Sequence, residues 1–279
     1  AAADAGGWPA SGGLCLTLGH TDENLMASAP KSMLIVAGHA IWDGKDWKGI
    51  EKSKFPDPEA MKRTIAQHVR DGCKMGVKRL YDVIAFSGGQ TRKNLELTEA
   101  QGMANFAAYR NIEFPDDLLF ESFARDSFEN VFLSLLAFYH NYKAWPETIG
   151  VISMPHKSIR FMLMATGLHF DNFTFHGIGK VDPHEKNCLN EMINMGVVID
   201  YKTKTIKDPL LRAPHFVSKR VGRTGPCYDN NQSDDENKNK DDKYLRCAAS
   251  AYGDDRLVEQ VINCDRQGGW RKLRWPWQP

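Results

Sequence analysis

From Ser32 onward, short apolar runs alternate with amphipathic stretches. Ser32-Met33-Leu34-Ile35-Val36-Ala37 has the length and apolarity of a strand buried on both faces, and it exits into Gly38-His39. Met61, Ile65, His68, Val69 and Cys73 then recur near one face of a helix that Pro56 and Pro58 open and Gly76 closes. Arg79 to Phe86 reads as a second strand, ending in Ser87-Gly88-Gly89. Thr98 is placed to cap a helix that runs to Tyr109. Leu118 to Phe120 is a short third strand. Asp126 caps a longer helix to Tyr142, with Phe128, Val131, Phe132, Leu135 and Leu136 as its core stripe. Thr148 to Ser153 is the fourth strand, Lys157 to Leu168 the next helix, Asn172 to His176 the fifth strand and Glu185 to Met195 a further helix.

Strands alternating with helices predict an α/β fold with a mostly parallel sheet, as a three-layer α/β/α Rossmann-like domain. The domain spans 32–196. Residues 1–31 read as an extended, irregular N-terminal arm, and 197–279 as an irregular C-terminal extension that contains a polar loop at 229–243. The basic and aromatic tail from Gly268 to Trp277 has two readings: a segment docked on the domain by its tryptophans, or a surface for a partner or an anion.

Composition narrows the function classes. Lys plus Arg total 36 against 35 for Asp plus Glu, a net charge of +1, so no nucleic-acid partner is expected. No apolar run reaches the roughly 18 residues of a membrane span. The six cysteines form no C-x-x-C pair. Reduced, scattered thiols in an intracellular protein, cytoplasmic or organellar, are expected, with room for one local bridge among Cys227, Cys247 and Cys264. The start Ala1-Ala2-Ala3-Asp4 reads as a processed or trimmed end.

Ligands of such sheets bind beyond the carboxyl ends of the strands. The polar residues there are the candidates. Gly38, Gly88 and Gly89 could bring backbone N–H groups to an anion, with Ser87 beside them. Glu121, Asp126, Ser127 and Asn130 follow the third strand, although helix capping alone would account for Asp126 or Ser127. Lys157 and Arg160 follow the fourth strand and suit a phosphate, carboxylate or sulfate. Glu99 and Glu121 are candidate general bases and His39 a candidate acid–base, while Glu99 also suits its helix dipole. His39, Asp43, Glu99, Glu121, Asp126, His156 and His176 are of ligating type but show no diagnostic metal spacing, so no metal site is assigned.

These residues in this order resemble the YdcF-like proteins, the ElyC/SanA/YdcF group built on domain of unknown function 218, in their eukaryotic, fungal-type branch. The resemblance rests on the apolar strand with Gly38-His39, on Ser87-Gly88-Gly89, on the helix with Glu99, on Glu121-Ser122-Phe123-Ala124-Arg125-Asp126-Ser127-Phe128-Glu129-Asn130, and on Ser153-Met154-Pro155-His156-Lys157-Ser158-Ile159-Arg160-Phe161. It covers about Ser32 to Gly179. Bacterial members usually carry Ser or Thr where Ala124 and Ser127 stand, and His where Lys157 stands. The resemblance implies a Rossmann-like fold and a ligand of S-adenosylmethionine or nucleotide-like type, without a reaction. Two functions follow as expectations. One is a hydrolase or transferase acting on an anionic, phosphorylated or nucleotide-like small molecule. The other is a non-catalytic accessory subunit that meets a protein partner through the N-terminal arm and the Trp-rich tail.

Overall fold

Alternate residues of the first strand face two different cores, which is why the run from Ser32 to Ala37 is apolar throughout. The computed structural model describes residues 29–51, 57–92, 94–180, 186–200, 205–223, 237–253, 255–264 and 269–278. In chain order the elements are β1 (Ser32–Ala37), β2 (Ile41–Trp42), β3 (Trp47–Lys48), α1 (Pro58–Val77), β4 (Val83–Ser87), α2 (Glu99–Tyr109), β5 (Leu118–Glu121) and α3 (Ser127–Tyr142). There follow β6 (Thr148–Ser153), a 3-10 turn at Pro155–Lys157, α4 (Ser158–Gly167), β7 (Phe173–Gly177), α5 (Lys186–Val198), β8 (Ile199–Asp200) and β9 (Thr205–Ile206). The chain continues as α6 (Pro214–Val221), α7 (Asn237–Ser250), α8 (Asp255–Ile262) and a 3-10 turn at Gly269–Lys272.

Five parallel strands form the central sheet in the order β5-β4-β1-β6-β7. Strands β1, β4 and β5 wind outward in one direction. The chain then crosses back to place β6 on the other side of β1. The strand order therefore reverses between β1 and β6, and beyond the carboxyl ends at such a reversal open α/β sheets place their ligand crevice. On one face Leu34, Val36, Ile84 and Phe86 pack with Ile65, Val69 and Cys73 of α1 and with Met103 and Phe106 of α2. On the other, Met33, Ile35, Val83 and Val151 pack with Phe128, Phe132 and Leu136 of α3 and with Phe161 and Met164 of α4. This is the three-layer α/β/α arrangement that the alternation predicts.

Thr98 and Asp126 cap α2 and α3 as read from the sequence, Thr98 within a reciprocal capping box with Gln101. The second strand begins at Val83 rather than Arg79, because Arg79 is still in the left-handed turn (φ 53°) by which the chain leaves α1. The arm at 1–28, the polar stretch 229–236, Glu185, Cys15 and Cys227 lie outside the described residues. No helix among the described residues is long and apolar enough to cross a membrane.

Beyond Val197 the chain is more regular than its polarity suggests. Phe216, Leu245, Val258, Val261, Trp270 and Trp275 join the core formed on the α3 side of the sheet. Residues 237–243, read as loop, belong to α7. A buried ion network fixes these helices to the domain. Arg125, Arg212 and Arg220 meet Asp126, Glu129, Asp241 and Asp242, and every one of the seven is buried. The tail is docked: Trp275 donates to the Gly167 carbonyl at 3.2 Å and Trp277 to the Leu168 carbonyl at 2.8 Å. Cys73 is a buried free thiol, whereas Cys247 is disulfide-bonded and departs from the reduced-thiol expectation.

Candidate functional site

Gly38-His39 leaves β1 and Ser153 ends β6, so the two strands at the reversal of the sheet supply the floor of the crevice. The His39 ring joins them. Its Nε2 lies 3.2 Å from Ser153 Oγ, and its Nδ1 lies 3.1 Å from Lys157 Nζ. The short turn Pro155–Lys157 between β6 and α4 aims Lys157 back across the crevice. Burial, then the charge of Lys157, holds the His39 pKa well below its ordinary value, so the imidazole is neutral at neutral pH. With a protonated Lys157 donating to Nδ1, the ring carries its hydrogen on Nε2 and donates to Ser153.

Lys157 is half-buried. Burial, followed by the charges of Arg160 and Lys219, pushes its ammonium down to about 7. Arg160 is fully engaged: it pairs with Glu191 through two nitrogens, and its third donates to Ser127 Oγ at 3.4 Å. Lys219 stands exposed on α6, and Arg223 follows just beyond that helix. Both lie within electrostatic reach of Lys157. Among the described residues, Lys157, Lys219 and Arg223 have no carboxylate within 4.0 Å. Of the neighbouring carboxylates, Glu191 is paired with Arg160 and Asp126 with Arg220, while Glu99 is the first carboxylate to act on Arg223, from beyond 4.0 Å. Lys157 thus feels Lys219 and Arg223 as like charges, with no carboxylate within 4.0 Å of the three among the described residues. An anion placed among them would relieve that repulsion.

The glycines serve another purpose than an anion nest. The N–H of Gly38 donates to the Ser87 carbonyl at 2.7 Å, that of Gly88 to Glu121 at 2.9 Å and that of Gly89 to Ala124 at 2.6 Å. No N–H of the three is left for a ligand. Gly38 and Gly88 instead form a slot for the Glu99 side chain. A Cβ built on Gly38 would lie 2.8 Å from Glu99 Cβ, and one on Gly88 2.7 Å from both Glu99 Cβ and Oε2. Gly88 also has φ 153°, which L side chains rarely adopt. Glu99 is buried beneath this turn and accepts from Thr91 Oγ1 at 2.6 Å.

Glu121 is likewise a brace. It is fully buried at the end of β5. Its Oε1 accepts the N–H groups of Phe123 (2.7 Å) and Ala124 (2.9 Å), and its Oε2 accepts Ser87 Oγ–H at 2.6 Å. Burial raises its pKa to about 7 against the effect of these donors. Ser87 Oγ also lies 2.9 Å from Asn130 Oδ1, so Ser87, Glu121 and Asn130 form one closed cluster behind the crevice. Asp126 accepts the Glu129 N–H at 3.0 Å and pairs with Arg220 at 2.8 Å. The start of α3 is therefore filled by the chain itself, because Glu129 in turn accepts the Arg125 N–H at 2.7 Å.

Of the residues singled out from sequence, His39 and Lys157 meet at the crevice. Glu99, Gly38, Gly88 and Gly89 shape its wall. Ser87, Glu121 and Asn130 lie behind it, and Asp126, Ser127 and Arg160 are held in internal pairs. Lys219 and Arg223 escaped the sequence reading. Their signal was the basic run Lys219-Arg220-Val221-Gly222-Arg223 within an extension read as irregular. The cationic donor set fits the phosphoryl group of a nucleotide-like ligand. It does not fit the sulfonium centre of S-adenosylmethionine, which it repels. Among the described residues no group of three or more His, Cys, Asp and Glu is placed to hold a metal ion.

No family model, no curated protein and no solved structure matches this chain.

Proposed function

We propose that this chain is a YdcF-like small-molecule protein that binds an anionic, phosphorylated or nucleotide-like ligand in the crevice between β1 and β6, as a hydrolase or transferase. The observation that carries the reading is that Lys157, at the reversal of strand order, feels Lys219 and Arg223 as like charges, with no carboxylate within 4.0 Å of the three among the described residues. Arg223 and Lys219 grip the anion from the side of α6, and Lys157 from the floor. Arg160, neutralised by Glu191, orients the wall rather than the ligand. Acid–base work falls to His39 with Lys157, which meet at 3.1 Å, since Glu121 is occupied inside the fold and Glu99 is buried beneath the glycine turn.

Binding without chemistry is the second reading. The burial of Glu121, with both its oxygens hydrogen-bonded inside the fold, favours it, because that carboxyl is not free to activate a nucleophile. Native mass spectrometry of the full chain with ADP as the probe tests the binding claim. A bound ADP that is lost on Arg223→Ala substitution supports it. No ADP binding, or equal binding by the variant, overturns the site. Release of inorganic phosphate from ADP or ATP by the wild type, abolished in His39→Ala, separates the enzyme from the binding protein.

A further inference from the structure

Lys157 is an amine with an unusual set of neighbours. Its one hydrogen-bond partner among the described residues is a neutral imidazole nitrogen, His39 Nδ1, at 3.1 Å. The groups around it come from every side of the crevice. His39 faces it from the end of β1, His68 from α1, and His156 and Arg160 from its own turn and α4. Glu191 faces it from α5, and Lys219 and Arg223 from α6 and just beyond. His68 is fixed by Nε2, which lies 2.9 Å from the Ile178 carbonyl, so it presents an uncharged ring to His39 at 5.5 Å. Glu191 is the only carboxylate in this set, and it is paired with Arg160. A proton on Lys157 is therefore opposed by three cations and answered by no free anion.

An arriving anion supplies the missing counter-charge. We propose that Lys157, relayed through His39 to Ser153, takes up a proton as a tetrahedral dianion of the phosphate or sulfate type enters the crevice, and releases it as the dianion leaves. The proposal rests on the anion-binding reading above and adds the group that exchanges the proton and the charge class of the ligand. Without the dianion, the proposed neutral amine accepts from His39 Nδ1–H across 3.1 Å, and Nε2 accepts the Ser153 hydroxyl proton across 3.2 Å. When the dianion enters, one proton from solvent forms a new N–H bond on Lys157. The ammonium then donates to Nδ1, the ring hydrogen moves to Nε2, and the ring donates to Ser153 Oγ. One proton is gained in all, with no other change of bonding. The ordinary ammonium range of lysine, 10.5, is displaced to about 7 in the empty site, which places the exchange within the physiological range.

Sulfate is the probe, since it remains a dianion throughout and cannot supply the proton itself. Isothermal titration of the full chain with sulfate, at about pH 8 in two buffers of different ionisation enthalpy, reads the uptake as a buffer-dependent heat. The wild type should take up about one proton per sulfate bound. Lys157→Arg keeps the charge but cannot titrate, so the sulfate it binds should give no buffer-dependent heat. If that variant fails to fold, the wild type alone decides: its sulfate affinity should fall by up to about tenfold per pH unit above the Lys157 range. Binding with no buffer dependence and a flat pH profile overturns the proton exchange and leaves the anion site standing. Uptake that persists in Lys157→Arg overturns the assignment to Lys157. Absence of any sulfate binding overturns the anion site itself.

Discussion

Nζ of Lys157 lies 3.1 Å from Nδ1 of His39, and no carboxylate answers its charge within 4.0 Å among the described residues. A lysine whose pKa is lower in the fold than in the open chain weakens the fold whenever the open chain holds the extra proton. The penalty is full below about 7, shrinks as pH rises toward 10.5 and vanishes above it. Lys157→Met should therefore raise stability by about 1 kcal/mol near pH 6 after solvent screening at this half-buried position, and by less near pH 9. Thermal unfolding in anion-poor buffer at the two pH values measures this. A larger gain at the higher pH would contradict the stated charge balance.

Glu121 carries the opposite sign. Its carboxyl is raised from 4.5 to about 7, so the fold favours the protonated form. The contribution is full below 4.5 and is lost as pH rises through about 7. Glu121→Gln should flatten the stability profile across that window and leave sulfate affinity unchanged, since the side chain lies behind the crevice. Glu121→Ala should cost about 2–3 kcal/mol by stranding the N–H groups of Phe123 and Ala124. Chemical unfolding read beside sulfate titration separates a brace from a ligand contact. A Gln variant that folds but no longer binds would give Glu121 a direct role.

The Glu99 slot makes its own prediction. A methyl on Gly88 would meet Glu99 Cβ and Oε2 at 2.7 Å and would sit on a backbone at φ 153°. Gly88→Ala should cost about 2–4 kcal/mol from overpacking and backbone strain together. Urea unfolding reads this, and a loss below about 0.5 kcal/mol would mean that the turn relaxes freely.

Arg220 holds the C-terminal helices to the domain, with Asp126 and Asp241 each at 2.8 Å. Arg220→Met would leave buried Asp126 without its cation and Asp241 with Arg125 and Arg212 alone, and should cost about 3–5 kcal/mol. Arg220→Lys should recover little, because one ammonium cannot span both carboxylates as the planar guanidinium does. Limited proteolysis should then cut first within α6 or α7. Unchanged resistance in both variants would show that the apolar contacts of Phe216 and Leu245 suffice.

How far the fold could be read from the chain depends on where each element finds its partners. The strands Ser32–Ala37 and Thr148–Ser153 are legible to the residue, since a run buried on both faces is apolar throughout its middle and Ser32, Thr148 and Ser153 mark its ends. Thr98 and Asp126 announce their helices because a cap is a local interaction. Helices α6 and α7 escape the same reading. Their inward positions include Arg220, Asp241 and Asp242, with Arg212 just before α6, and these look solvated until their partners arrive, as Asp126 does for Arg220 from 94 residues away. The same blindness extends to the site. His39 and Lys157 were legible as polar residues at strand ends. That the glycine amides already serve Ser87, Glu121 and Ala124, and that Glu99 fills the slot above them, depends on strand neighbours that no local pattern reveals.

The claim that the crevice between β1 and β6 is an anion site is most directly tested by locating an anion in it. Crystals of the full chain soaked in selenate, a tetrahedral dianion with an anomalous signal, give its position without assumption about the reaction. The predicted result is selenate within hydrogen-bond distance of Lys157 Nζ and of the Arg223 guanidinium, and its loss from that position in Arg223→Ala. Selenate bound elsewhere on the protein while this crevice stays empty would contradict the account.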